Sequence, residues 1–599
     1  MKNRLRYLCG YYLATLIVFF VAKIVFMLCN GAGHDIHLVD FFAVVWHGLT
    51  LDASTALYFL IVPYLLSVIS IWTSLPKWFS RIYNAIVALA FSMAFVADTS
   101  LYPFWNFKLD AVCLTYLSTP TEAMASVSVG YIVWRFLVLI TTAIIVFTLY
   151  DKIERQPAKA IRKGRLKKTI LLLLLIPVIV IGIRGGVRES TTNIGQVYYS
   201  ENQFLNHSAV NPVFSFLYSL SHQLDDLSQY TFFEEEQCKQ LVQDVYTTES
   251  VLTDTLLNTT HPNVVVILME SASELFADAM PHLQQLKDEG IYFENCYGNS
   301  WRTDRGTVCA LSGYPSFPSF SVMKIPEKSR TLPSIARTLK ANGYATSYLY
   351  GGDINFTNMR SYLISTGWDK IMSMDDYSRE EQNTSQWGVQ DEITFETLYE
   401  QITTSNGNAQ KHLWGYSTLS SHEPWDVPTK VLDDEIKNAF HYLDACLYRF
   451  VEKLKKTPQW DNLLIVLVAD HGINYQQVTP STPLQKNHIP LLWLGGAVKE
   501  PRRVDKLCNQ SDLPATLLGQ LQLAHADYPF SRDVLSATYS HPTAVHNFNN
   551  AQWLYDETGE ILYDFDAGRA IISNGSDVEH LLNVNKAILQ TTSQDLLSR

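Results

Sequence analysis

Two apolar runs in the sequence end in groups suited to binding a divalent metal. Val264–Met269 leads directly into Glu270, and Leu463–Ala469 leads into Asp470 and His471. Carboxylate oxygens and imidazole nitrogens are ligands for such ions. A third stretch, Asn299-Ser300-Trp301-Arg302-Thr303-Asp304-Arg305-Gly306, sets a hydroxyl between two arginines where a helix is expected to open. Helix N-terminal amides and guanidinium groups favour phosphate or sulfate oxygens. A threonine hydroxyl is a poor nucleophile until a base or a metal lowers its pKa. Glu270, Thr303, Asp470 and His471 together make a four-ligand divalent site in which Thr303 is both ligand and nucleophile. His422, in the loop before Pro424, and His488, before Ile489-Pro490, are further candidates for contact with a substrate.

Each feature also has a plainer reading. Thr303 caps a helix while its arginines face solvent, Glu270 caps the helix after its strand, and Asp470-His471-Gly472 is a tight turn. What favours the metal site is that all of these groups fall at strand ends or helix starts.

The elements that must position them alternate. A continuous run rich in β-branched residues reads as a buried parallel strand, and such strands present functional groups at their carboxyl ends. Expected strands are 264–269, Tyr292–Asn295, Ala345–Tyr350, 463–469 and Ile489–Leu494. Between them lie expected helices at Met280–Glu289, Leu332–Ala341, Asp433–Lys455 and Ser511–Leu521. This order implies a largely parallel sheet with helices on both faces. Near the end, Gln552–Tyr555 and Ile561–Phe565 flank a Glu-Thr-Gly-Glu turn and read as an edge hairpin.

The first 185 or so of the 599 residues differ in kind. Their apolar runs have the length a bilayer requires, roughly 20 residues each. Five spans are expected at 7–29, 50–72, 82–102, 130–150 and 168–185, with Phe41–His47 as a re-entrant or interfacial segment. A cleaved signal peptide is disfavoured, because no small-residue cleavage site follows the first run and more spans come after it. The loops alternate in charge. Lys2, Arg4 and Arg6, then Lys77 and Arg81, then eight basic residues in 151–169 mark one side, whereas loops 30–49 and 103–129 hold only Lys108. The positive-inside rule then puts the amino terminus in the cytoplasm and everything after about residue 190 outside. Residues 186–258 read as a polar, aromatic-rich connector, helical over Pro212–Tyr230, and 259–599 as the outer α/β domain. The eight cysteines show no CxxC and no regular spacing, so neither a zinc knuckle nor a disulfide framework is indicated.

The ordered set Met269-Glu270-Ser271, Arg302-Thr303-x-Arg305-Gly306, Ser421-His422-x-Pro424 and Ala469-Asp470-His471-Gly472 resembles the lipoteichoic acid synthase and phosphoglycerol transferase branch of the alkaline phosphatase/sulfatase superfamily. The resemblance implies five spans plus an extracytoplasmic sulfatase-like domain, set in a bacterial cytoplasmic (inner) membrane. It implies one divalent ion, manganese or else zinc, on Glu270, Thr303, Asp470 and His471. Thr303 would attack a phospholipid phosphodiester, with phosphatidylglycerol-like lipid as donor and a glycan or glycolipid as acceptor. His422 would contact the transferred group and assist the leaving group. Arg305, His488, Arg360 and Asp353 are the other expected substrate contacts. Arg360 stands in for a family Asn-Arg pair displaced by one residue in Asn358-Met359-Arg360, and Tyr350-Gly351-Gly352 replaces a His-containing segment. Nucleic acid is not among the expected partners.

Three other functions compete. A sulfatase or phosphodiesterase is disfavoured by the lack of a CxPSR motif, which Cys309-Ala310-Leu311-Ser312-Gly313 only superficially echoes. A phosphoethanolamine transferase is a five-span relative that also uses threonine. A transporter or a membrane scaffold is the non-enzymatic alternative; against transport, the spans are expected to lack charge pairs and interrupted repeats.

Overall fold

The computed structural model describes residues 1–105, 107–111, 113–114, 128–153, 160–161, 163–200, 202–221, 227–246, 254–318, 320–405, 410–473, 482–565 and 567–599. Parts of the basic loop 151–169 and of the expected helix 212–230 lie outside these residues. The chain divides into two compact units, Met1–Gln223 and Leu224–Arg599.

Among the described residues, the first unit has five helices long and apolar enough to cross a membrane: Lys2–Asn30, Leu38–Trp72, Lys77–Pro103, Val129–Ile153 and Arg165–Arg184. The second helix starts at Leu38, so Phe41–His47 is not a separate re-entrant segment but the opening of that helix. The last is built from two pieces, Arg165–Leu173 and Ile176–Arg184. The break falls just ahead of Pro177, which has no N–H to continue the helical ladder.

The spans also carry charge pairs, contrary to the sequence expectation. Lys23 of the first helix donates to Asp52 Oδ2 of the second at 2.5 Å, and Asn211 Nδ2 donates to Asp52 Oδ1 at 2.8 Å. Asp98 of the third helix pairs with Lys108. All four charged side chains are at most 4% exposed. A buried charge is tolerable only when paired. The Lys23 and Asp52 partners sit on different helices, so no single hydropathy window reveals the pair.

The second unit is built on an eight-stranded sheet. Its strands are β1 (Asn263–Met269), β2 (Ile291–Tyr297), β3 (Tyr344–Tyr350), β4 (Lys370–Met372), β5 (Lys411–Ser417), β6 (Leu463–Ala469), β7 (Leu491–Leu494) and β8 (Arg502–Asn509), in the order β4-β3-β5-β1-β6-β7-β2-β8. Only β7 runs antiparallel to its neighbours. Every residue of β1 and β6 is buried. Burying each such aliphatic side chain is worth about 1.5–3 kcal/mol, so the two strands anchor the core.

The expected edge hairpin is instead the middle of a second sheet. Strands β9 (Thr543–Asn547), β10 (Ala551–Asp556), β11 (Gly559–Asp564) and β12 (Arg569–Gly575) form an antiparallel sheet in the order β12-β11-β10-β9. The closing helix Val578–Ser598 packs against it, burying Leu581, Val584 and Ile588 with Val545, Leu554 and Ile561. β12, whose residues are exposed or only half-buried, lacks the run of buried apolar residues by which a strand is read from sequence.

Candidate metal centre and its supports

Register decides where the acidic groups meet. In the parallel β1–β6 pair, Met269 lies opposite Ala469, so Glu270 and Asp470 leave the sheet side by side. On the other flank of β1, Leu268 lies opposite Ser417 of β5, which brings the loop after β5 to the same sheet end. One ligand atom each from Glu270, Asp470 and His471 lies within 4.8 Å of the others, and all three residues are buried. Thr303 opens the helix Thr303–Ser312 and donates from Oγ1 to Glu270 Oε2 at 3.2 Å. The four groups named from sequence as metal ligands therefore converge.

The backbone around them is tightly specified. Ser271 adopts φ 54°, in the left-handed region, and donates from Oγ to Glu270 Oε1 at 2.7 Å. A non-glycine residue there costs of order 1–3 kcal/mol and persists only when its surroundings enforce it. Asp470 Oδ1 accepts from Ser271 N at 2.9 Å and from His471 N at 2.8 Å. Gln510 Nε2 donates to the carbonyls of Ala469 and Asp470, both at 2.6 Å. Thr418 Oγ1 accepts from Glu270 N at 2.9 Å, and Ser421 Oγ donates to Glu270 O at 2.6 Å.

The donor set fits a cation. Asp470 Oδ2 is buried with no hydrogen-bond donor, a costly arrangement unless a positive charge meets it. His471 Nδ1 lies 2.6 Å from Gly472 O; a carbonyl only accepts, so the proton is on Nδ1. Nε2 is then the acceptor edge, 3.6 Å from Glu270 Oε1 and 3.7 Å from Asp470 Oδ2. Burial, followed by the charge of Glu270, pushes the Asp470 carboxyl up to about 7. Burial also acts to raise Glu270, but His422, His471 and the Ser271 hydroxyl outweigh it and hold the group below the ordinary range. Burial lowers His471, and Asp470 and Glu270 overcome it to leave a net rise. Two carboxylates, one imidazole and one hydroxyl suit manganese or zinc chemistry.

The remaining sequence candidates have partners of their own. His422 is half-buried; its Nδ1 lies 2.7 Å from Glu423 O, and its charge acts on Glu270. Arg305 is buried and donates from Nη2 to Asn549 Oδ1 at 3.3 Å. Arg360 donates from Nε to Asn355 Oδ1 at 2.9 Å, with Asp375, Asp353 and Asp376 acting on its charge. Asp353 Oδ1 accepts from the backbone and side-chain nitrogens of Asn355 at 3.0 and 3.2 Å. His488 is not brought into the cluster: its Nε2 lies 2.8 Å from Glu294 O and its ring stacks on Tyr297. Ser271, Thr418 and Gln510 carry no sequence signal of this role, because each acts through a partner distant in the chain or through an unusual backbone angle. The buried Asp304, paired with Lys324 Nζ at 3.1 Å and acting on His471, is a further neighbour that the sequence did not single out.

A family model described as Sulfatase matches residues 262–523, a span that holds the whole cluster. Residues 262–523 are thus similar to the sulfatase family. Among characterised proteins, lipoteichoic acid synthase 2 of Bacillus subtilis is 25% identical over 347 residues, covering 52% of this chain and 52% of its own. Phosphoglycerol transferase I of Xanthomonas campestris is 24% identical over 302 residues, covering 46% and 43%. The chain thus spans about half the length of these relatives. The chain also shares its fold with a Vibrio parahaemolyticus alkaline phosphatase superfamily protein (TM-score 0.54, 24% identity, 62% of this chain and 98% of that one). The lipoteichoic acid synthase LtaP of Listeria monocytogenes shares it at TM-score 0.52 and 18% identity, over 60% and 98%.

Proposed function

We propose that the chain is a membrane-anchored, metal-dependent transferase that moves a phosphoglycerol-type head group from a phospholipid to an extracytoplasmic glycan or glycolipid acceptor. The observation that carries this reading is the Thr303 hydroxyl bonded to Glu270 within a buried carboxylate–histidine cluster. The similarity to a lipoteichoic acid synthase and a phosphoglycerol transferase supports the choice of group. Five apolar helices supply the anchor, and the alternation of basic loops supports an outer location for the domain.

Glu270, Asp470, His471 and Thr303 would hold the cation, manganese or zinc. When bound, it supplies a Lewis acid that favours the alkoxide of Thr303 and offsets charge on the phosphoryl oxygens. In the first step Thr303 Oγ1 bonds to phosphorus as the bond to the diacylglycerol oxygen breaks. The threonine proton leaves along its hydrogen bond to Glu270, and the departing oxygen takes a proton from His422. In the second step the acceptor hydroxyl attacks the same phosphorus and gives its proton to His422. The bond to Thr303 breaks, and its oxygen recovers the proton from Glu270. Splitting the transfer into two displacements is the general benefit of a covalent route.

The test is mass spectrometry of the Thr303 peptide after the full-length protein is incubated with manganese and phosphatidylglycerol vesicles. A phosphoglycerol adduct, absent from Thr303→Ala, is expected. An adduct formed only from phosphatidylethanolamine would reassign the head group, and no adduct from either lipid would sink the covalent mechanism.

A further inference from the structure

The loop that carries His422 is gripped twice by one short segment, Trp387–Asp391. At one end, Trp387 Nε1 donates to Glu423 O at 2.7 Å. His422 Nδ1 lies 2.7 Å from that same oxygen. A carbonyl oxygen has two lone pairs and no proton, so both groups donate to it and the imidazole proton is on Nδ1. Nε2 is then the edge left to exchange a proton. The Trp387 and His422 ring centroids are 4.3 Å apart, and the Phe356 ring meets Trp387 edge-on at 5.7 Å.

At the other end, the fully buried Asp391 carboxylate accepts from Leu419 N at 2.8 Å, Ser420 N at 3.0 Å and the Tyr416 hydroxyl at 3.2 Å. Asp391 N donates back to Ser420 Oγ at 3.1 Å. The segment between the two grips is itself pinned, since Val389 N donates to Gly351 O at 2.9 Å. Gly388 makes that approach possible: at φ 136°, an added Cβ would lie 2.3 Å from Gly351 O. Residues 419–423 are therefore fixed at both ends, and the loop between β5 and His422 also holds the Glu270 backbone through Thr418 and Ser421.

We propose that Trp387 and Asp391 are positioning residues for His422, a two-point clamp that selects its Nδ1–H tautomer and presents Nε2 for proton transfer with the acceptor hydroxyl. The clamp rests on the reading above in which His422 exchanges protons with the reacting oxygens. A merely structural pair would stabilise the loop without depending on the imidazole. The clamp makes its effect conditional on His422.

The experiment uses the full-length protein in detergent with phosphatidylglycerol and manganese. Trp387→Phe keeps a ring and removes the N–H; Asp391→Asn keeps the shape and removes the charge. Each is expected to lower kcat roughly tenfold while changing KM for the lipid less than about twofold. In a His422→Ala background either substitution should change kcat by less than about twofold. An equal loss in both backgrounds, or no loss in the parent protein, overturns the clamp. Histidine nitrogen NMR of the same protein, assigned by loss of the signal in His422→Ala, gives a readout independent of activity. The expected spectrum has His422 protonated on Nδ1, with that preference weakened by Trp387→Phe. The neutral tautomer with its single proton on Nε2 and none on Nδ1 in the parent protein overturns the proposal even if lipid transfer proceeds as proposed. If instead lipid transfer fails while the tautomer follows Trp387, the reading of function falls and the clamp geometry survives.

Discussion

Gly306 lies against the carbonyl of Asp470 so closely that a Cβ at position 306 would sit 1.6 Å from that oxygen. Gly306 is in the first turn of the helix that Thr303 opens, and Asp470 directly follows β6. The contact therefore sets the distance between the helix that Thr303 opens and the strand that leads into Asp470 and His471. Gly306→Ala should force the two elements apart. Overpacking of this kind costs about 1–3 kcal/mol and sometimes more, and here backbone meets backbone, so the upper end is expected. A thermal melt should show the loss as a lower midpoint, and lipid head-group transfer should fall further than the melt alone explains. A variant with unchanged midpoint and rate would show that the helix tolerates the shift.

Ser271 supports Glu270 without being one of the proposed ligands. Its hydroxyl donates to Glu270 Oε1 and its amide to Asp470 Oδ1. Loss of such a supporting bond commonly costs 10–100-fold in metal affinity. Ser271→Ala should weaken manganese binding by about that factor in a titration of the metal-free protein, while the amide contact to Asp470 persists. Binding within twofold of the parent would assign the serine to backbone geometry alone.

The Asp470 carboxyl, pushed up to about 7 by burial and by Glu270, ties metal binding to pH. Its folded pKa is raised above the ordinary 3.8. In the metal-free protein its contribution to stability is thus complete below about pH 4 and is lost as pH rises through about 7. A cation needs the ionised form, so protons compete with it below neutrality. The rise in melting midpoint on adding manganese should be larger at pH 8 than at pH 6, and metal affinity should fall toward acid. An affinity independent of pH between 6 and 8 would place the proton elsewhere.

In the membrane unit, the buried Lys23–Asp52 pair should behave as a unit. Removing one partner of a buried pair typically costs about 3–5 kcal/mol, whereas replacing both with apolar residues is often neutral. Lys23→Met is expected to lower the midpoint of detergent-solubilised protein markedly, and adding Asp52→Leu should recover most of the loss. Additive losses would mean that Asn211 and the Gly48 carbonyl, which also contact the pair, dominate its energetics.

Much of the centre was legible in the chain. Continuous apolar runs ending in Glu270 and in Asp470-His471 read as buried strands with acidic ends, and Thr303 between two arginines reads as a helix start; such signals are local in sequence. The five apolar helices were legible for the same reason, since hydropathy is additive over a window. What the sequence alone determined is therefore the inventory: which residues are chemically competent, and which segments must be buried in protein or in lipid.

Tertiary structure decided the rest, because it depends on contacts between residues far apart in the chain. Met269 opposite Ala469 brings Glu270 beside Asp470, a matter of strand register across 200 residues. The left-handed Ser271, the close approach at Gly306, the Lys23–Asp52 pair and the grip of Trp387 and Asp391 on the His422 loop are each a relation between surfaces. His488 shows the converse: a histidine at a strand entry reads as a candidate, yet its nitrogen is taken by the Glu294 carbonyl. Residue type limits what a side chain can do, and only packing fixes which partner it meets.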